Sequence, residues 1–242
     1  MIYKITSKQN QKIKELLLLN KNNIRKQEKK FIVEGYHLLE MALENNKVVS
    51  IFTTSEIKNI DQNIPQYIVN DEIMEKISSL KCSQGVIAVC KMNEEKYISS
   101  NKVLFLDDVS DPGNVGTIFR TALAFNYKDI IVTSGCASTY NEKVIQASQG
   151  AIFKLNIIEK DYEYLKQLKD YEILATEIKG SISLKNISHE DKFILVLGNE
   201  ARGVRKEILD IANQRIRIDI RDMESLNVAI AGAIAMYELW FC

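Results

Sequence analysis

The sequence predicts an α/β protein, because strand-like and helix-like segments alternate along most of its 242 residues. Apolar runs such as 103–106 are typical of strands buried in a parallel sheet. Helix signals follow such runs, and the clearest is Asp111-Pro112, which joins a capping residue to a proline at the first helical position. The polar segment 91–100 separates two alternations. We therefore predict a smaller first domain over 1–96 and a second domain over 97–242.

The first alternation begins with a helix over 7–19, where Ser7 can cap and Ile13, Leu16 and Leu17 recur at helical spacing. Gly35 ends the short strand that follows, and Asn70 is a capping residue for a later helix. The remaining elements are predicted at 31–33 (strand), 36–45 (helix), 48–53 (strand), 67–69 (strand), 71–79 (helix) and 86–90 (strand).

The second alternation opens with the strand 103–106 and a helix from residue 112, whose inward stripe includes Val115, Ile118 and Phe119. We place Ser225 as the cap of the last helix, at 225–240. The elements between them are predicted at 130–132 (strand), 143–149 (helix), 161–169 (helix), 172–176 (strand), 193–197 (strand), 205–212 (helix) and 216–218 (strand).

Composition limits the functional classes. Hydrophobic residues make up 46% and charged residues 26% of the chain, which is typical of a globular protein. No apolar run approaches the ~18–20 residues that cross a bilayer, and the first residues lack the apolar core of a secretion signal, so we expect a cytoplasmic protein. Cys82, Cys90, Cys136 and Cys242 form no C-x-x-C pair, and only two histidines accompany them. We expect neither a metal site nor a disulfide framework.

Positive charge is concentrated at the start of the chain, although the net charge of the whole is zero. Residues 1–30 hold nine Lys/Arg against two Glu, a net charge of +7. Such a segment is typical of a surface that binds a polyanion. A lysine-rich helix face that merely contacts solvent explains the charge equally well.

The first motif runs from Asp111 to Arg120, where a strand gives way to a helix. Unpaired N–H groups at a helix start attract anions, and Gly113 and Gly116 permit close approach of a ligand. Helical side chains lean towards the N-terminus, so the Arg120 guanidinium is expected over the first turn, near Asn114. A solvent-exposed arginine on an amphipathic helix remains the simpler alternative.

The second motif, Gly198-Asn199-Glu200-Ala201-Arg202-Gly203, follows an apolar strand. Ligands of open α/β sheets bind at the carboxyl ends of strands. The sequence Val204-Arg205 stands where a phosphate-binding loop needs Lys-Ser/Thr, so a nucleotide triphosphatase is rejected. No G-x-G-x-x-G occurs, which disfavours a Rossmann dinucleotide site. An ordinary strand-to-helix turn with a surface glutamate remains possible.

The third motif is Ser225-Leu226-Asn227, followed by the small and apolar residues 229–236. A helix that is apolar nearly all round is buried, either in the core or in a two-fold subunit interface.

Together these motifs resemble the SpoU (TrmH-like) group of RNA 2′-O-ribose methyltransferases in the SPOUT superfamily. The resemblance covers most of 103–242. It is weaker at 31–35 and 83–86, which are similar to that family's ribosomal-protein-like substrate-binding domain. It implies a parallel sheet with a deep trefoil knot, S-adenosylmethionine as cofactor, a homodimer formed through the last helix, and a structured RNA substrate, most often ribosomal.

The resemblance also assigns residues. The polar site would comprise Asn114, Arg120, Glu200, Ser225 and Asn227. The cofactor would lie against Thr176, Gly180, Leu197, Gly198, Asn199, Gly203, Ile218, Ile220 and Leu226. Two features depart from the family pattern: Ala201 stands where glycine is common, and the loop 218–222 lacks the usual proline and glycine.

A mechanism follows from the resemblance and the charges. We expect Arg120 to anchor a phosphate and to stabilise the developing alkoxide, while Glu200 or a water takes the proton. Glu200 as a mere brace of its loop is equally open. Two rival functions are a catalytically inactive RNA-binding or ribosome-associated protein of the same fold and a small-molecule α/β enzyme. The expected RNA contacts are Lys12, Lys14, Lys21, Arg25, Lys26, Lys29 and Lys30.

Overall fold

The computed structural model describes residues 1–179 and 181–240. Gly180, which was predicted beside the adenine, and Cys242 lie outside the described residues. The chain forms two compact units. The first comprises Met1–Asn93 with Tyr140–Phe153, and the second comprises Glu94–Thr139 with Lys154–Cys242. The predicted domain boundary at residues 96 and 97 stays a prediction.

The first unit is built on a mixed five-stranded sheet in the order β1-β4-β3-β5-β2. Strands β1, β4 and β3 pair in parallel, whereas β5 is antiparallel to β3 and β2. The elements are β1 (Ile2–Ile5), α1 (Gln11–Leu18), α2 (Asn22–Glu28), β2 (Lys30–Glu34), α3 (Tyr36–Glu44), β3 (Val48–Thr53), β4 (Gln66–Val69), α4 (Asp71–Ile77) and β5 (Val86–Lys91).

The second unit is built on a seven-stranded sheet in the order β10-β12-β9-β11-β6-β7-β8, and all its strand pairs are parallel. This confirms the predicted α/β class. The trefoil knot remains an expectation from the family resemblance. The elements are β6 (Lys102–Leu106), α5 (Pro112–Ala124), β7 (Asp129–Val132), α6 (Glu142–Ser148), which belongs to the first unit, β8 (Asn156–Glu159), β9 (Glu172–Thr176), β10 (Ile182–Ser183), β11 (Phe193–Leu197), α7 (Lys206–Leu209), β12 (Gln214–Arg217) and α8 (Val228–Glu238).

The core of the second unit explains why its strands were predictable. Strands β6 and β11 lie at the centre of the sheet, and residues 103–106 and 193–197 are each at most 1% exposed. Strands covered on both faces must be apolar throughout, which leaves a clear signal in the sequence. The helix α8 packs close to this sheet because Gly232 has no side chain: a Cβ there would stand 2.6 Å from Leu197.

Several element boundaries differ from the prediction. The first helix begins at Gln11, because the Asn10 side chain rather than Ser7 accepts the N–H of Lys12. The last helix is capped by Asn227 and not by Ser225. The predicted helix 161–169 is a 3₁₀ segment at Tyr162–Gln167, and the one at 205–212 shortens to α7. Strands β1, β8 and β10 and the helix α2 were not predicted.

Those missed elements share a weak signal. The strand β1 is an edge strand in which only Ile5 is buried, and β10 has two residues. Short edge strands lack the alternation that identifies a half-buried strand.

Among the described residues, no helix is long and apolar enough to cross a membrane.

Candidate active site

The three motifs meet at one edge of the parallel sheet. Strands β9, β11 and β6 are neighbours, and their carboxyl ends carry Thr176, Gly198 and Asp107. In a parallel sheet all carboxyl ends lie on the same side, which is where open α/β sheets bind ligands. The topology therefore brings the first motif to the second and third motifs, although Glu200 and Asn227 lie 86 and 113 residues after Asn114 in the sequence.

A chain of side-chain hydrogen bonds joins all three motifs. The Asn227 amide donates from Nδ2 to Asn114 Oδ1 at 3.0 Å, and Asn114 donates from Nδ2 to Glu200 Oε1 at 3.0 Å. Asn114 uses both ends of its amide, so one residue holds the other two motifs in place. Three of the five polar residues predicted for the site are thus in direct contact.

Glu200 accepts hydrogen bonds on both of its carboxylate oxygens. Beyond Asn114, its donors are the N–H and hydroxyl of Ser110, at 3.2 and 3.3 Å, and the N–H of Asp111, at 3.2 Å. Partial burial by itself raises the pKa of Glu200, but the hydrogen bonds from Asn114 and the backbone outweigh it and bring the pKa below its usual value. An ionised carboxylate with a full set of donors is suited to bracing the loop rather than to accepting a proton.

Arg120 and Ser225 complete the predicted polar set without joining this chain. Both are exposed, and neither side chain forms a hydrogen bond or ion pair with the described residues. Arg120 lies on α5, two turns from the Asp111 cap, whose carboxylate accepts the N–H of Asn114 at 2.8 Å. The guanidinium is therefore available to an anionic ligand. Its place over the first turn of α5, near Asn114, stays a prediction.

The loop of the second motif is fixed by its own backbone. Asn199 and Gly203 exchange two backbone hydrogen bonds, at 3.1 and 2.9 Å. The Asn199 side chain accepts the N–H groups of Ala201 and Arg202 and donates to the carbonyl of Asp108. Asn199 thus ties the loop to the end of β6, which holds Glu200 against its donors.

Gly198 and Gly203 are required for different reasons. A Cβ on Gly198 would stand 2.2 Å from the carbonyl carbon of Gly203 and the nitrogen of Val204, whereas a Cβ on Gly203 would meet nothing within 4 Å. Gly203 has a φ of +70°, a conformation that costs other residues roughly 1–2 kcal/mol. Gly198 is therefore a packing requirement and Gly203 a backbone requirement.

We expect Gly198→Ala to open this loop and lower both stability and cofactor affinity, because backbone atoms cannot move aside cheaply. The free energy of unfolding should fall by about 3 kcal/mol, against about 1 kcal/mol for Gly203→Ala. Thermal unfolding and calorimetry with S-adenosylmethionine measure the two effects. Equal losses in the two variants would contradict the packing role of Gly198.

Sequence reasoning missed a buried ion pair beside this loop. Asp107 is 2% exposed. Its carboxylate accepts hydrogen bonds from the backbone N–H of Arg205 at 2.8 Å and from Arg205 Nε at 2.6 Å. The hydrogen bond to Asp107 raises the pKa of the Arg205 guanidinium, and Asp108 adds a second ion pair at 3.1 Å. The pair joins the end of β6 to the start of α7. Two acidic residues directly after an apolar strand were the available signal.

Apart from Gly180, which lies outside the described residues, the residues expected to hold the cofactor lie at or beyond the carboxyl ends of β9, β11 and β12. Residues 218–226 follow β12, and their backbone N–H and C=O groups form no hydrogen bond with other backbone groups in the described part of the chain. Leu226 and Met223 are exposed, as is Ile178 beyond β9. Exposed apolar side chains next to unpaired backbone groups fit a ligand with an aromatic ring and several polar groups.

The residues expected to contact RNA belong to the first unit. Lys14, Lys21, Lys26 and Lys29 are exposed on or beside α1 and α2. Lys12 is paired with Glu15 and Lys30 with Glu28. Arg25 is only 7% exposed, and its guanidinium binds backbone carbonyl groups, so it stands apart from the exposed lysines.

The comparisons with known proteins agree with this geometry. The profile of the SpoU rRNA Methylase family matches residues 101–237, and that of an MRM3-like substrate binding domain matches residues 10–88. A similar protein is the 23S rRNA (guanosine(2553)-2′-O)-methyltransferase RlmP of Bacillus subtilis, which is 31% identical over 243 residues that cover 97% of this chain and 98% of the relative.

Two solved structures have the same fold. An RNA 2′-O ribose methyltransferase superposes with a TM-score of 0.82 at 25% identity, covering 97% of both chains. The AdoMet-bound rRNA methyltransferase from Sinorhizobium meliloti has a TM-score of 0.86 at 24% identity, covering 98% of this chain and 97% of its own.

Proposed function

Because this chain belongs to the SpoU rRNA methylase family, we propose that it transfers a methyl group from S-adenosylmethionine to a ribose 2′-hydroxyl of ribosomal RNA, of the 23S type. The observation that supports this most is the hydrogen-bonded chain Asn227–Asn114–Glu200 at the carboxyl edge of the sheet. Action on ribosomal RNA would place the protein in the cytoplasm.

Bound S-adenosylmethionine supplies an electrophilic methyl group on a sulfonium. Residues 218–226 would hold it together with Gly198. In this segment the backbone groups form no backbone hydrogen bonds among the described residues, and the side chain of Leu226 is exposed. Thr176, Leu197, Asn199, Gly203 and Ile220 complete the proposed contacts. These residues match S-adenosylmethionine in their chemistry, because they combine backbone donors and acceptors with apolar side chains.

The chain's own residues would position the ribose and stabilise charge. Arg120 would bind the phosphate next to the target ribose and the oxygen that develops negative charge as its proton leaves. Arginine stays protonated and cannot accept that proton. The low pKa of Glu200 makes it a poor acceptor too, so a water would take the proton while Ser225 orients the hydroxyl. Glu200 would act by holding Asn114.

Transfer of labelled methyl groups from S-adenosylmethionine to ribosomal RNA tests this function. Mapping of 2′-O-methyl positions in cells with and without the gene then identifies the nucleotide. A chain that binds RNA but neither binds S-adenosylmethionine nor labels RNA would instead be the inactive RNA-binding protein. Labelling of a small molecule with no labelling of RNA would favour the small-molecule enzyme.

The exposed lysines of the first unit are proposed to bind the RNA backbone. We expect Lys14→Gln, Lys21→Gln and Lys29→Gln together to weaken RNA binding and to reduce the slope of log affinity against log salt by about 2, because fewer counterions are released. Filter binding at several salt concentrations measures both. The matched control is Lys128→Gln, Lys166→Gln and Lys169→Gln, three lysines of the second unit. An equal loss in the control would contradict a specific role.

We also propose a homodimer through α8. This helix is apolar nearly all round, yet Ile230 and Tyr237 on it are 51% and 48% exposed, and Trp240, just beyond its end, is 45% exposed. Such a face favours a second copy of the chain. We expect Ile230→Asp to convert a dimer into monomers of 27.7 kDa in light scattering. Exposed Asn59→Asp, in the first unit, is the control. A wild-type chain that is monomeric would refute the proposal.

A further inference from the structure

The first unit contains a cavity of about 370 Å³ that the proposed reaction does not use. It lies between the end of α1, the helix α2, the strand β2 and the segment that leads into α6. Its size is at the lower end of the range for small-ligand sites, which suits a single nucleotide-sized group. The residues that line it all belong to this unit.

The walls of the cavity combine an apolar floor with a polar rim. Leu19, Ile77 and Ile145 are buried and apolar, whereas Asn20 and Lys143 are exposed at the rim. A flat ring that carries hydrogen-bonding groups on its edge fits such a lining. RNA offers this chemistry wherever a base is unpaired and turned out of the stack.

A buried cation lies in the wall. Arg25 is 7% exposed and donates from Nη1 to the carbonyl oxygens of Leu19 and Asn20, at 3.0 and 2.9 Å. Its Nε is buried without a hydrogen-bond partner. The carboxylate of Glu142, which also lines the cavity, attracts this charge, but burial outweighs that attraction and lowers the pKa of the Arg25 guanidinium. The cost of burying the charge is therefore only partly offset within the chain, so an anion near this wall would be favoured.

The buried carboxylate of the cavity does not supply that counter-charge. Glu34 is 5% exposed, and its oxygens accept the hydroxyl groups of Ser78, Ser79 and Ser83 and the N–H of Ser79. The acceptors of Glu34 are therefore used inside the protein, whereas the charge of Arg25 is offset only in part, by Glu142.

We propose that this cavity receives one unpaired nucleotide of the RNA, with the base against the apolar floor and the phosphate towards Arg25 and Lys143. The inference rests on the proposed function in one respect, that the ligand of the chain is RNA. The exposed Lys21, Lys26 and Lys29, on or beside α2 with Arg25, favour a polyanion over a protein as the occupant.

The test uses the full chain and a random single-stranded RNA that contains 4-thiouridine. Asn20→Trp fills the cavity from its exposed rim, and Asn23→Trp places the same ring on the exposed face of α2, outside the cavity. Asn20→Trp should lower RNA affinity about tenfold, the effect of losing one stacked base. Because the phosphate at Arg25 and Lys143 is lost together with the base, the slope of log affinity against log salt should also fall, by about 1. Asn23→Trp should bind like wild type. Photocrosslinks in wild type should map to 19–25 or 140–146.

Unchanged affinity of Asn20→Trp, or crosslinks that avoid both segments, would overturn the proposal. Equal thermal unfolding of the two variants shows that both are folded. Methyl transfer is measured separately, so the two proposals can fail independently. RNA that binds in the cavity without being methylated contradicts the function alone, and methylation that Asn20→Trp leaves unaffected at limiting RNA contradicts the cavity alone.

Discussion

Replacement of Arg120 by alanine is expected to lower kcat for RNA methylation about 10²–10³-fold at saturating RNA. The guanidinium is exposed on α5 and has no partner among the described residues, so its loss leaves no buried charge unpaired. The effect would therefore be on the reaction rather than on the fold. Transfer of labelled methyl groups at saturating RNA measures kcat directly.

Arg120→Lys is the matched variant, because it keeps the positive charge and loses the planar fork. We expect it to recover part of the RNA affinity and little of kcat. Affinity for S-adenosylmethionine and the unfolding temperature should match wild type in both variants. Full methylation by Arg120→Ala at saturating RNA would show that Arg120 only helps the RNA to bind.

Among substitutions of a single asparagine in the site, Asn114→Asp is expected to disrupt it most strongly. Asn114 donates to Glu200 at 3.0 Å, so a second carboxylate there removes the donor and faces an ionised partner. Loss of that hydrogen bond together with the repulsion amounts to about 3 kcal/mol, roughly a hundredfold in kcat/KM at pH 8. Initial rates at low substrate concentration measure it.

The pH dependence separates this cause from a simple loss of contact. In the wild type, the hydrogen bond from Asn114 is the largest of the contributions that lower the pKa of Glu200, and this variant removes it. Two facing carboxylates raise the pKa for the first proton that the pair takes up. As the pH falls, that proton restores a hydrogen bond between residues 114 and 200. The activity of Asn114→Asp relative to wild type should therefore rise from pH 8 to pH 5.5.

Asn114→Ala is the control, since it removes the donor without adding a charge. Its activity relative to wild type should be low and independent of pH over the same range. A rise in both variants, or in neither, would show that the contact between residues 114 and 200 is not what Asn114 contributes.

The elements that the sequence predicted best are those with two agreeing local signals. The helix α5 begins where Asp111-Pro112 placed it, and Asn70 caps α4 as expected, because caps act through neighbouring backbone groups. The central strands were recognisable because both faces are buried. The edge strands β1 and β10 lacked that constraint and were missed.

Residue types and local order were thus determined by the sequence alone: the α/β class, the polar residues of three motifs and their positions after strands or before helices. Only the tertiary structure decided which of them touch. It makes Asn114 the link between Asn227 and Glu200, gives Glu200 a full set of donors, and buries Arg25 away from the exposed lysines. A hydrogen bond depends on distances near 3 Å between residues far apart in the chain, and strand order, which no local pattern encodes, sets those distances.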